Sequence, residues 1–186
     1  MGRSFHRHAV HRAAPALVAA LALAATIAAA PPKPPPGNLL NACVPVSGVV
    51  TSGQPEQQAF SALRRAGYRR VIDLRLARED RGYDEPAAAK RAGLAYVNVP
   101  IDPVTLGDLE FTAVRVLLQD PKRGPVLVHC ATANRVGAVL IPWLVLDRGR
   151  SEDEALAIAQ RVGLHSEPMK QKALDYVRRE KAGPGR

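Results

Sequence analysis

The chain has 186 residues and a formal net charge of +9, from 26 Lys and Arg against 17 Asp and Glu. That length holds one domain with a real core, and with aromatic residues at only 4% the core has to be aliphatic. The positive excess is scattered in short pairs such as Arg64-Arg65, Arg69-Arg70, Lys122-Arg123 and Arg178-Arg179. No aromatics interleave with them and no nucleic-acid motif is present, so the charge excludes a nucleic-acid module and reads as solvated helix faces with a mild attraction for anions.

The first segment contains no Asp or Glu. Arg3, Arg7 and Arg12, with His6, His8 and His11, precede an apolar run over 13–30 that ends in small residues, Ala28 and Ala30 among them. Residues 1–30 therefore read as a secretory signal peptide or, uncleaved, as an N-terminal anchor. The run is close to the roughly 18 apolar residues a membrane span needs. An Arg-rich transit peptide is the third reading, and export to the periplasm or medium is the expectation. Pro31 argues against cleavage directly after Ala30. Residues 31–47 read as a Pro-rich linker, stiff and extended over 31–36. Leu40-Asn-Ala-Cys43 faintly resembles a lipid-attachment box, but the proline spacer separates it from the apolar run. The domain proper is expected over 48–182.

Along that domain, strand and helix signals alternate. A short strand covers 49–52, followed by a turn at Gly53-Gln-Pro55 with Pro55 placed as the first residue of a helix that runs to Ala66 and stops at Gly67. A β-branched strand covers 68–74, a charged loop 75–83, a short helix 85–92 closed by Gly93, and a strand 94–100. Thr105 or Asp108 caps a helix reaching Gln119. A turn over 121–124 leads to the strand 126–128. A helix over 136–146 follows, then a helix opened by the capping box Ser151 and Glu154, and a last helix from Ser166 to before Gly183. Strands separated by helices predict an α/β fold with a mostly parallel sheet covered on both faces. Ligands of such sheets bind beyond the carboxyl ends of the strands.

At one such end stands Pro125-Val-Leu-Val-His-Cys-Ala-Thr-Ala-Asn-Arg-Val-Gly137. A cysteine at a strand end, a tight loop and an arginine at the next helix start aim loop amides, a helix N-terminus and a bidentate guanidinium at one spot. The same field favours thiolate over thiol, which makes Cys130 a candidate nucleophile. The bland alternative is a small buried residue at a strand end. Cys43 is the only other cysteine. In an oxidising compartment the two could pair, which would silence Cys130.

The segment resembles the cysteine-dependent protein tyrosine and dual-specificity phosphatase superfamily, whose usual loop is His-Cys, five residues, Arg, then Ser or Thr. The resemblance implies the protein tyrosine phosphatase fold, with Cys130 as nucleophile, Arg135 as phosphate clamp and Asp102 as the acid that protonates the leaving oxygen. The loop residues Ala131, Thr132, Ala133 and Asn134 would bind phosphate with Arg135, and His129 would support the loop through nearby backbone. Ser52-Gly-Gln-Pro55, Val71-Ile-Asp-Leu-Arg75 and the shortened His-Cys-x4-Arg loop together resemble the bacterial beta-lactamase-hydrolase-like subfamily. There Asp73 and Arg75 are structural, and some members are proposed sulfurtransferases. Three departures stand out. The loop has one residue fewer, so it offers one amide fewer. Ala133 replaces a glycine, which limits positive φ. Val136 replaces a hydroxyl residue.

Three functions follow: a phosphate monoesterase working through phosphocysteine, a persulfide carrier on Cys130, and a non-catalytic anion-binding module. Asp108 is the alternative acid, with helix capping as its plainer role. Asn134 either orients the loop through its amide or tolerates left-handed φ, and His165 reads as a cap or surface residue. No His, Cys, Asp and Glu spacing suggests a metal, and the chemistry needs no metal or organic cofactor. The expected partner is an anionic small molecule or a phosphoprotein, with no nucleic acid, and with a membrane only through the N-terminal segment.

Overall fold

The computed structural model describes residues 1–2, 38–119 and 124–183. The chain divides into two units between Pro31 and Pro32, and the fold that follows is that of the second. The signal or anchor reading of 1–30 and the proline spacer lie outside the described residues, Met1 and Gly2 apart.

Five strands form one sheet in the order β1-β2-β5-β3-β4. They are β1 (Cys43–Val46), β2 (Val49–Ser52), β3 (Arg70–Asp73), β4 (Ala95–Asn98) and β5 (Val126–His129). β2, β5, β3 and β4 run parallel, and β1 pairs antiparallel with β2. β1 was not expected, because Pro45 reads against a strand. On the outer edge its missing N–H costs no ladder bond. The linker assigned to 31–47 is therefore too long: Leu39 is buried and bridges to Pro55, and 43–46 belongs to the sheet.

The helices are α1 (Ala59–Arg65), α2 (Glu85–Arg91), α3 (Asp108–Gln119), α4 (Asn134–Pro142), α5 (Glu152–Val162) and α6 (Glu167–Ala182). Alternation along each strand sends side chains to opposite faces. Val50, Val71 and Leu127 pack with Phe60 and Leu63 of α1 and Ala88 and Ala89 of α2. Val49, Ile72, Val126 and Val128 pack with α3 to α6. The helix starts follow local chemistry. Asp84 accepts from Ala87 N, Ser151 and Glu154 cap each other's backbone amides, and Ser166 accepts from Met169 N. α1 starts at Ala59 rather than Pro55, because Pro55 is held in the bridge to Leu39. α4 carries Pro142 inside it. Proline supplies no N–H to the turn before it, and the helix widens into a π turn over Trp143–Asp147, with Arg148 N donating to Trp143 O.

Gly137 sets how closely α4 approaches the end of α5. A Cβ there would lie 2.7 Å from Ala159 O and from Leu164 Cβ.

Candidate active site

The parallel registers align Ser52, His129, Asp73 and Asn98 in one row at the carboxyl ends of the strands. Cys130 is the next residue after that row, 1% exposed, and Arg135, 8% exposed, sits in the first turn of α4. The loop between them is held by its carbonyls. Gln54 N donates to Ala131 O at 3.0 Å, and Asn41 Nδ2 donates to Thr132 O at 3.1 Å. Cys130 N donates to Ser52 O at 3.4 Å. Among the described residues, the amides of Ala131, Thr132, Ala133 and Asn134 donate no hydrogen bond. A loop whose carbonyls are tied back and whose amides are left over can present those amides to an anion.

The Ser-Gly-Gln-Pro motif acquires its reason here. A Cβ on Gly53 would lie 2.7 Å from Ala131 O, so only glycine lets this strand end pass so close to the loop. Ala133 departs from expectation: it adopts φ 72°, the left-handed conformation that a side chain was expected to limit. The price is about 1–2 kcal/mol of local strain, held in place because Ala133 is fully buried.

Arg135 is oriented by a partner that sequence reasoning missed. Its NH1 and NH2 donate to Glu79 Oε1 at 2.5 Å and Glu79 Oε2 at 2.7 Å, and NH1 also reaches Ile101 O at 3.2 Å. These bonds hold the Glu79 carboxyl down at about 2, the Arg135 hydrogen bonds being the largest cause. Burial alone would lower the Arg135 pKa, but Glu79 and the Cys130 sulfur raise it instead. Arg75 adds a second cation to Glu79, 3.3 Å from Oε2. The signal for Glu79 lay in the charged loop, but nothing in its spacing singled out one carboxylate.

Asp102 stands at the same edge, next to Ile101, whose carbonyl Arg135 touches. Its Oδ1 accepts from Val104 N at 2.9 Å and its Oδ2 from Arg78 at 3.0 Å. The carboxyl is held below its ordinary value, first by the Val104 amide and then by Arg78. Asp108, the alternative acid, is an exposed helix residue paired with Arg179. Asn134 is not the left-handed residue. Its Oδ1 accepts from His165 N at 3.0 Å and Ser166 N at 3.3 Å, tying α4 to the α5–α6 connection.

The His129 ring does not make the expected hydrogen bond to nearby backbone; it faces carboxylates. Its Nε2 lies 2.6 Å from Glu85 Oε1, though not aligned as a hydrogen bond, and 3.9 Å from Asp73 Oδ1. Asp73, Glu85 and His129 are all fully buried, with one ligand atom each within 4.8 Å of the others. As placed, they do not fit a tetrahedral zinc ion. Ligand atoms around a zinc-sized ion stand roughly 3 Å or more apart at bond lengths near 2.0–2.1 Å, which the 2.6 Å contact does not allow. Arg81 already serves as the cation, 2.6 Å and 2.9 Å from Asp73 Oδ2.

Cys43 and Cys130 are free. β2 lies between β1, which holds Cys43, and β5, which Cys130 directly follows. Two strand spacings of about 4.8 Å exceed the roughly 7 Å limit for a bridged pair of Cα atoms.

A cavity of about 340 Å³ opens beside the loop, with Arg78, Glu79, Pro103, Thr132, Asn134 and Arg135 in its walls. A cavity of about 370 Å³ lies at the other end of the sheet, against Gly48, Val126 and Trp143. It is remote from the row of chemistry.

A cysteine and an arginine flanking a cradle of free amides, on a parallel sheet with helices on both faces, define a phosphatase-type domain. The model of a family described as "DSP-PTPase phosphatase fused to NAD+ Kinase" matches residues 47–177, and the chain belongs to that family. The Beta-lactamase hydrolase-like protein of Xylella fastidiosa is 35% identical over 116 residues, covering 60% of this chain and 27% of that protein. The chain thus matches about a quarter of the length of that curated relative. Among solved structures, TpbA of P. aeruginosa is similar at 26% identity and a TM-score of 0.58, over 75% of this chain and 84% of that one. A further TpbA structure holds phosphotyrosine. The core catalytic domain of the PP-IP phosphatase SIW14 of S. cerevisiae, in complex with citrate, shares the fold at 17% identity and a TM-score of 0.62, over 77% and 89% of the two chains.

Proposed function

We propose that the domain hydrolyses phosphate monoesters through a phosphocysteine intermediate. The observation that carries this reading is the cradle of unbonded amides from Ala131 to Asn134, closed by an arginine in electrostatic contact with Cys130. Cys130 Sγ attacks phosphorus and the ester P–O bond breaks. Asp102, protonated only in the acid range because Val104 N and Arg78 hold its carboxyl down, gives its proton to the departing oxygen. Water then attacks the phosphocysteine, the P–S bond breaks, and phosphate and the thiolate are released, with Asp102 taking the proton back. Arg135 and the loop amides hold the phosphoryl oxygens where charge develops.

Full-length protein under reducing conditions, assayed on aryl phosphates, tests the reading. Cys130→Ser brings turnover to background while circular dichroism stays that of wild type, and retained turnover removes Cys130 as nucleophile. Asp102→Asn slows poor leaving groups by about two to four orders of magnitude and good ones much less. Equal losses across the leaving-group series remove Asp102 as the acid.

The persulfide reading has one specific support, the loop of only four residues between Cys130 and Arg135. Thiosulfate turnover with cyanide, without aryl phosphatase activity, would favour it. We also propose export, on the basis of the acid-free basic start and apolar run of 1–30. Cell fractionation with N-terminal sequencing decides that, and a cytosolic product retaining 1–30 contradicts it.

A further inference from the structure

We propose that a second cavity beside the loop binds a second anionic group of the substrate, so that the domain favours small organic bisphosphates over monophosphates. This rests on the monoesterase reading above and names its substrate class. The second cavity, about 340 Å³, has Asn41, Thr132, Arg161, Gly163 and His165 in its walls. Thr132 also lines the cavity that contains Arg135, so one loop residue separates the two spaces. Asn134 of the first cavity touches His165 of the second, with Nδ2 3.1 Å from Nε2.

Charge distinguishes the two spaces. Around the first, the protein's own carboxylates already face each arginine: Arg75 and Arg135 face Glu79, Arg78 faces Asp102, and Arg81 faces Asp73. No carboxylate lines the second cavity. Arg161, exposed in the last turn of α5, forms no ion pair or hydrogen bond among the described residues, and the one titratable group its charge is seen to act on is the Cys43 thiol. A guanidinium left without a counter-ion in a concave site is a place for a phosphate, which it can meet with two parallel N–H donors.

Part of the opposition to an anion at this helix end is removed by capping. The carbonyls at the end of α5 would repel it, but Ala159 O accepts from Gly163 N and Leu164 N, and Gln160 O accepts from Gly163 N. His165 is committed as well. Asn134 Oδ1 accepts two backbone amides, so its Nδ2 faces His165 Nε2, which accepts. The ring proton then sits on Nδ1 and points to Gly163 O at 3.0 Å. His165 sets the shape of the wall, and Arg161 supplies the charge. The Thr132 hydroxyl has no partner among the described residues and adds a donor between the two phosphates.

The test compares phenyl phosphate and hexyl phosphate with propane-, hexane- and nonane-diyl bisphosphates as substrates of full-length protein. The expected result is one favoured spacer whose kcat/KM exceeds that of hexyl phosphate by about tenfold, the scale of one charge-assisted contact at a partly wet site. Arg161→Ala collapses that ratio to about one, and Arg161→Lys leaves part of it. Arg178→Ala, which removes an equal charge from a residue paired with Asp175, keeps the ratio. No spacer preference in wild type, or a ratio that survives Arg161→Ala, overturns the proposal. If no phosphate ester turns over, the monoesterase reading fails. Calorimetric affinities of the same bisphosphates and monophosphates for wild type and Arg161→Ala then decide the second site separately, by the same ratio.

Discussion

The two faces of the sheet support the Cys130 loop by different physics. On the α3–α6 face the support is aliphatic: Val126 and Val128 lead into Ala133, Val136 and Val139, all within one buried cluster. On the α1–α2 face the strands run from Val50, Val71 and Leu127 into charge, ending in Ser52, Asp73 and His129, with Glu85 and Arg81 against them. Close packing is insensitive to pH and unforgiving of volume. Ionic bracing tolerates shape and answers to protonation. The Cys130 loop has both, close packing from one side and oriented charge from the other.

The sharpest break in that comparison comes from the charged side. Arg135→Lys keeps the charge and loses the planar fork that Glu79 orients. Vanadate affinity, read by calorimetry, falls by about two to three orders of magnitude, the scale of losing an aligned oxyanion donor. Unchanged affinity would place the clamp elsewhere.

Gly137→Ala acts from the aliphatic side. The new methyl meets backbone at 2.7 Å, and overpacking of this kind costs about 1–3 kcal/mol. Urea unfolding shows the loss, while anion affinity of the folded fraction falls less than in Arg135→Lys. A variant as stable as wild type would mean that α4 and α5 have room to part.

Glu79→Gln gives the smallest and most diagnostic effect. The Glu79 carboxyl sits at about 2, below its ordinary 4.5. Its contribution to stability is therefore complete above pH 4.5 and lost as pH falls through about 2. Glutamine cannot take up that proton, so the gap in stability between wild type and variant narrows across this window. Parallel curves from neutral pH down to 2 would show that Glu79 does not hold Arg135 in solution.

The elements of the domain were legible wherever local chemistry decides them. Ser151 with Glu154, Ser166, and the stops at Gly67 and Gly93 lie where hydrogen-bonding side chains and positive φ put them. Cys43–Val46 was missed because strand membership depends on a neighbour, and Pro45 is tolerated only because this strand lies at the edge. Pro55 was misplaced for the same reason: a distant residue, Leu39, claims it.

The same division runs through the site. Sequence by itself determined the Cys130–Arg135 loop and its place between a strand end and a helix start, because these residues are contiguous and their geometry is local. It also placed Asp102 at the right edge, since strand direction alone carries it there. Tertiary structure alone decided what surrounds them. Glu79 on Arg135, Glu85 on His129, Asn134 on the α5–α6 connection and the uncompensated Arg161 beyond Thr132 all join residues distant in the chain. Charge partners of that kind leave no periodicity and no spacing. They are set by which helices the sheet brings together, and an electrostatic field depends on distance in space rather than along the chain.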